Sequence, residues 1–310
     1  MLNIAVDRTT GGLICMNQEA YIMDIAKKFN VANANPKYTP MVTGAVLDKT
    51  QMPELGSAEH QAMLNTPFRS LIGAMQYASN NRPDIKAAVS KLGHFMSNPA
   101  TVHWKALKHV LKYLVTTKDL KMIIGSDKKE PATLKIFVDA DHGGDRGTGR
   151  STSGIVIKYG DTTLDCISKR QGAVANSTGA AEMMALAVAV RNSSVMRIML
   201  EELNIKVPAI PIYTDAQVVV DMLKKGHPSS KLKHLALAFY TIKDKMVEGK
   251  ITVHHIPGAD NCADILTKPL PRATFEKHRC ALLNNHIQLK ALYVNAYSNG
   301  QKRREEGKSL

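Results

Sequence analysis

No stretch of this sequence approaches the roughly 18–20 consecutive apolar residues that would cross a bilayer. The nearest, Ala180 to Val190, contains Glu182 and stops at Arg191. The opening Met1-Leu2-Asn3-Ile4 lacks the basic-then-apolar layout of a secretory signal. Both absences point to a soluble intracellular chain, in the cytoplasm or the nucleus, with no membrane partner. The four cysteines (Cys15, Cys166, Cys262, Cys280) lack the paired spacing of a zinc or redox site, so reduced thiols are expected. Internal repeats are missing too, which excludes a solenoid or a propeller.

What is present is length, apolar content and positive charge. At 310 residues the chain is long enough for two domains of ordinary size. An apolar fraction of 44% with a mean hydropathy of -0.17 supplies a sizeable core. The net charge of +14 and the pI near 9.5 favour polyanionic partners. The excess is spread along the whole chain and is not gathered in one tail.

Periodicity divides the chain near Ser126–Pro131, a short polar break. Before it, short alternating segments around Gly11-Gly12 predict a hairpin, and Gln18 to Phe29 a helix. Residues 31–60, rich in Pro, Asn, Thr and Gly, read as a loop. Residues 67–97 return to helical spacing, interrupted at Arg82-Pro83, where Pro suits a first helical turn. Trp104, Leu107, Leu111 and Leu114 give a helix from Thr101 to about Thr117, with Lys105, Lys108 and Lys112 in a stripe beside the apolar face. On one helix such a stripe is more commonly a solvated face than a track for phosphates.

After the break, strands are predicted at Leu134–Val138, Ser153–Lys158, Leu164–Ser168, Ala209–Thr214 and Ile251–Ile256. Helices are predicted from Thr178 to Leu203, from Asp215, from Lys231 to Val247, and briefly after an Asp260-Asn261 N-cap pair. This order describes an α/β layer on a mixed sheet. The final stretch from Asn284 is expected to be a disordered basic tail.

Four acids fall at element boundaries of that second region. Asp139 ends a strand, Glu182 lies in the first turns of the long helix, Asp215 sits where a strand becomes a helix, and Asp264 lies in the last short helix. Each alone has a plainer explanation: a turn residue, a helix cap, or a partner for a helix dipole. Together they would gather at one sheet edge, where α/β proteins bind ligands. Four carboxylates so placed need a cation, and oxygen-only ligation favours magnesium or manganese over zinc. Two such ions, about 4 Å apart, suit phosphodiester hydrolysis.

At these positions the sequence resembles the copia-type retrotransposon Pol polyproteins. The likeness lies in Val138-Asp139-Ala140-Asp141 with Gly144-Asp145, in Arg150-Ser151-Thr152-Ser153-Gly154, and in Ser168-Lys169-Arg170-Gln171. It continues through Glu182-Met183-Met184-Ala185-Leu186, Tyr213-Thr214-Asp215 and Lys233-His234. Asn261-Cys262-Ala263-Asp264-Ile265-Leu266-Thr267-Lys268-Pro269-Leu270 is close to a highly specific family motif. Upstream, Gln18-Glu19-Ala20-Tyr21, Arg69-Ser70-Leu71-Ile72-Gly73, Arg82-Pro83-Asp84-Ile85 and His103-Trp104-Lys105-Ala106 resemble the end of a reverse-transcriptase palm and its thumb.

The resemblance implies a mostly helical palm-end and thumb remnant over residues 1–125, a ribonuclease H domain over 131–283 with a mixed five-stranded sheet and flanking helices, and a basic tail over 284–310. It implies an endonuclease that cuts the RNA strand of RNA–DNA hybrids with two Mg2+ ions, Mn2+ substituting. Asp139 would bridge both ions, Asp264 would share the one that activates water, and Glu182 and Asp215 would hold the other. Lys105, Lys108, Lys112, Ser177, Gln217 and Lys233 are the candidate nucleic-acid contacts. No Asp-Asp dipeptide occurs, so no polymerase activity is expected without the missing upstream segment of the polyprotein, itself a partner. Ala180 and His142 stand where Glu and Trp are usual, and His254 and His255 read as structural. The alternative is an inactive nucleic-acid-binding relic of the same element. An integrase on the same fold would order its acids Asp, Asp, Glu, whereas here the order is Asp, Glu, Asp, Asp.

Overall fold

The computed structural model describes residues 3–9, 12–126, 132–228 and 230–285. The expected basic tail thus lies outside the described residues beyond Asn285, as do most of the polar break and Gly11 of the N-terminal hairpin. That hairpin pairs β1 (Ala5–Arg8) with β2 (Ile14–Asn17), and a third antiparallel strand, β3 (Met122–Ile124), joins it from the far end of the helical region. Between them come α1 (Glu19–Lys28), α2 (Ala58–Leu64), α3 (Phe68–Ala78), α4 (Lys86–Gly93) and α5 (Thr101–Thr116). Pro83 opens a 3-10 turn, Pro83–Ile85, that leads into α4, as its position after Arg82 predicts. On α5, Leu107, Leu111 and Leu114 are fully buried, while Trp104 packs at the margin of the same core.

The second sheet is mixed. In space its strands run β6 (Thr162–Arg170), β5 (Arg150–Tyr159), β4 (Leu134–Asp145), β7 (Ile210–Thr214) and β8 (Ile251–His255). The first three are antiparallel neighbours, and β7 and β8 extend the sheet in parallel. Flanking it are α6 (Thr178–Glu202), α7 (Gln217–Lys225), α8 (Ala236–Val247) and α9 (Arg272–Leu283). This is the α/β class expected.

The period-2 pattern of the strands decides what covers each face. Ile136, Val138, Ile155 and Ile157 point to a core that includes Ala181, Ala185, Leu186 and Ala189 of α6. By length and composition α6 could cross a membrane, but its apolar stripe is spent on the sheet. Val156 and Cys166 point the other way, into a core they share with α1, α3, α4 and α5. Cys262, Ile265, Leu266, Phe275 and Leu282 belong to that second core as well. Polar contacts reinforce it: Lys86 Nζ donates to Cys166 O at 2.6 Å and Lys91 Nζ to Gly144 O at 3.0 Å. All four cysteines are free thiols.

Several boundaries differ from expectation. Strand β4 does not end at Asp139 but continues to Asp145, with a shifted register between Asp141 and Asp145. The helix expected from Lys231 begins as a 3-10 segment, Ser230–Leu235, before α8. The short helix after Asn261 is also 3-10, Cys262–Leu266, and α7 starts at Gln217 instead of Asp215. Helix α9 and strand β3 were not foreseen.

Candidate active site

The main-chain ladder brings the acids together. Strands β4 and β7 pair in parallel with Val138 opposite Thr214, so Asp139 and Asp215 leave the sheet side by side. Across β4, Asp139 faces Gly154 of β5. Glu182, in the second turn of α6, accepts a hydrogen bond through Oε1 from the Ala140 amide at 3.2 Å. Ser177 caps that helix by accepting from the Ala180 amide at 3.2 Å.

Asp264 arrives on the 3-10 turn, pinned by Asn261. The Asn261 amide group donates to Val138 O at 2.9 Å, and its oxygen accepts from the Ala263 amide at 3.2 Å. This turn closes directly onto β5 at Gly154, where a Cβ would lie 2.7 Å from both Ala263 O and Thr267 Cγ2. Glycine is needed there because any side chain would push the Asp264 segment off the sheet. Gly144 plays a similar part for Asp141, whose carboxylate covers the place a Cβ would take.

One carboxylate oxygen from each of Asp139, Asp215 and Asp264 lies within 4.8 Å of the other two. Glu182 stands beside them with Oε2 buried and without a hydrogen-bond partner. Burial, then the charge of Asp264, pushes the Asp139 carboxyl up to about 7. Burial followed by Asp139 and Asp215 pushes Glu182 up to about 9. Asp215 is raised by burial and by Asp264. Asp139 is 2% exposed, and Thr267 Oγ1 lies 2.5 Å from its Oδ2 and 3.0 Å from Asp264 O. The Thr267 hydroxyl donates to Asp139 Oδ2 and tempers the rise that burial imposes on that carboxyl, with Asp264 O a second acceptor within reach.

The other candidate residues are more scattered. Lys105 lines a cavity of about 330 Å³ between the α4–α5 region and the sheet, which Asp141 and Thr267 also line. Lys108 instead sets its ammonium 5.0 Å from the Trp104 ring centre, and Lys112 is half-buried. Ser177 is occupied as a cap, Gln217 is exposed and donates to Asp221 at 2.7 Å, and Lys233 is exposed. His254 and His255, read as structural, lie on β8 as expected and are exposed at its end. Sequence reasoning gave no role to Lys268, whose ammonium lies 2.8 Å from Asp264 Oδ1, nor to Thr267 or Gly154, while Asn261 caps the short helix as expected. All four stand in the quoted motifs, but spacing alone does not show which way they point.

No protein-family model matches the chain. It is 32% identical over 277 residues to the retrovirus-related Pol polyprotein from transposon TNT 1-94 of Nicotiana tabacum, covering 89% of this chain and 20% of that protein. Over 89% of its length the chain is homologous to copia-type retrotransposon Pol polyproteins. A second Pol relative, from transposon RE2 of Arabidopsis thaliana, is 32% identical over 279 residues, 89% of this chain and 18% of that one. This Pol segment therefore spans about a fifth of the length of the curated relatives it matches. Among solved structures, LC11-RNase H1 isolated from compost aligns over 47% of this Pol segment and 96% of its own chain, with 22% identity and a TM-score of 0.35.

Proposed function

We propose that this Pol segment is a ribonuclease H, a metal-dependent endonuclease that hydrolyses the RNA strand of RNA–DNA hybrids. The observation that carries the reading is the convergence of Asp139, Asp215 and Asp264 beside the unpartnered Oε2 of Glu182. The donor set is all carboxylate oxygen, which fits a hard divalent ion such as Mg2+, with Mn2+ as a substitute. Asp139, Glu182, Asp215 and Asp264 would hold two ions. Bound there, the metal supplies Lewis-acid stabilisation and an activated water for phosphodiester cleavage.

The chain's own part is to present those acids on rigid elements. The β4–β7 pairing fixes two of them, the Ala140 amide orients Glu182, and Asn261 ties the Asp264 turn to β4. The net charge of +14 draws the polyanionic hybrid to the surface. Lys105, at the mouth of the cavity that Asp141 and Thr267 line, is the best placed of the proposed backbone contacts. Lys108, Lys112, Ser177, Gln217 and Lys233 remain weaker proposals for the same role. The rest of the polyprotein would supply the polymerase portion.

The test is Mg2+-dependent cleavage of a labelled RNA–DNA hybrid. Asp139→Asn should cost several kcal/mol of transition-state stabilisation, roughly a thousandfold in rate, with circular dichroism unchanged. Undiminished cleavage by that variant would remove the mechanism.

A further inference from the structure

Carboxylates packed as closely as those of Asp139, Asp215 and Asp264, with Glu182 beside them, have to be kept from repelling one another whenever they hold no divalent ion. One side chain is placed to do so. Lys268 lies four residues after Asp264, and its amide still reaches Asp264 O, 3.4 Å away, so one helical turn stacks the ammonium over the carboxylate. The nitrogen is 2.8 Å from Asp264 Oδ1. Its charge also acts on Asp139, Glu182 and Asp215, favouring the ionised form of each. Burial alone would lower the Lys268 ammonium, but Asp139 and Asp264 outweigh it and hold it above its usual value.

Two further features matter. Backbone at this point is fixed, since Pro269 follows directly and Thr267 is bonded into the site. The side chain is not enclosed: 43% of it is exposed, against 13% for Asp264. A flexible four-carbon stem on a fixed anchor, with its head at the mouth of an acidic site, can leave toward solvent without disturbing the packing.

We propose that Lys268 is a built-in counter-ion that competes with divalent metal for the carboxylates and must be displaced before the site loads. The inference rests on the nuclease reading of the preceding section. It makes Lys268 a positioning residue that sets the metal concentration at which the acids become available. It also explains how Asp139, Asp215 and Asp264 can stand so close together before metal arrives.

The experiment is direct titration of the full chain with Mn2+ alone, followed by calorimetry at one fixed pH, with no nucleic acid present. Lys268→Gln keeps a polar, slightly shorter side chain while removing the charge, and should bind Mn2+ about tenfold more tightly than the native chain. Lys268→Arg keeps the charge and should bind as the native chain does. In the melting curve, added Mn2+ should raise the transition of Lys268→Gln more than that of the native protein. Equal or weaker Mn2+ binding by Lys268→Gln overturns the proposal. Asp139→Asn serves as reference. If it loses Mn2+ while Lys268→Gln is unchanged, only the counter-ion idea falls. If Asp139→Asn binds Mn2+ as the native chain does, the metal sits elsewhere and both readings fall.

Discussion

Two buried charge clusters stand within this molecule, and they are built on opposite plans. Around Arg82, which is 1% exposed, every charge is answered. Its guanidinium grips Asp84 through Nε at 3.0 Å and Nη2 at 2.7 Å, and Nη1 donates to Thr117 O at 2.8 Å. Tyr113 donates to the same carboxylate at 2.5 Å, and Arg279 approaches the Tyr113 hydroxyl at 3.4 Å. Burial would raise the Asp84 carboxyl, yet Arg82 outweighs it and holds the group below the usual range. Around Asp139 burial acts the same way, but the neighbours are acids and the carboxyls rise. The first cluster closes on itself and fastens α5, the Pro83 turn and α9 together. The second is left unbalanced, which is what the proposed cation site requires. Buried charge alone does not separate fastener from site; the balance of signs around it does.

The contrast can be broken at either end. The largest effect should come from Arg82→Met, which strands Asp84 as an unpaired buried charge. It should cost about 3–5 kcal/mol in urea unfolding of the full chain. A cost below about 1 kcal/mol, the level of an exposed pair, would show that this cluster fastens nothing.

Next comes Glu182→Gln in metal-free protein, where the sign runs the other way. Asp139 and Glu182 are pushed up to about 7 and 9, so between the usual carboxylate range and those values the folded chain holds more protons than the unfolded one. Stability from this site is therefore full in acid and is lost as pH rises through about 7 and then 9. Glu182→Gln should recover roughly 2 kcal/mol at the alkaline end and almost nothing in acid. Melting curves with chelator across that range would show it, and a flat difference would mean the acids are not in conflict. The smallest effect is that of Thr267→Val, about 1 kcal/mol, from loss of the hydroxyl that links Asp139 to the Asp264 turn. No measurable change would mean that Thr267 holds nothing in place.

The sequence announced much of this architecture because β4 as far as Val138 and β7 alternate buried with half-buried residues, and α6 carries a continuous apolar stripe. Of the four acids only Asp215 falls where one element hands over to another; Asp139 lies within β4, Glu182 in the second turn of α6 and Asp264 inside the 3-10 turn, and the motifs around them made them legible. Strand β4 overran its expected end since Asp141 to Asp145 are turn-forming residues, yet pairing to Thr152 and Arg150 holds them in the ladder. Helix α9 escaped notice because its buried set mixes Phe275 and Leu282 with His278, while Arg279 binds Tyr113, which blurs the apolar period. Lys268 shows the deeper limit. Its spacing from Asp264 is plain in the sequence, but the direction of its ammonium depends on a turn whose closure requires Gly154, over a hundred positions upstream.

Among the described residues, the face of β5 and β6 that carries Val156 and Cys166 is covered from its own region by the Cys262–Leu266 turn and α9, and otherwise by the helical region before residue 125, α4 foremost. Damage to that roof would travel. A lesion at Leu107 or Leu111 would loosen α4, which packs on α5, on β6 and on the turn from which Asp264 is hung. On the proposed nuclease reading, the acid cluster would then be put out of order by changes that never touch an acid.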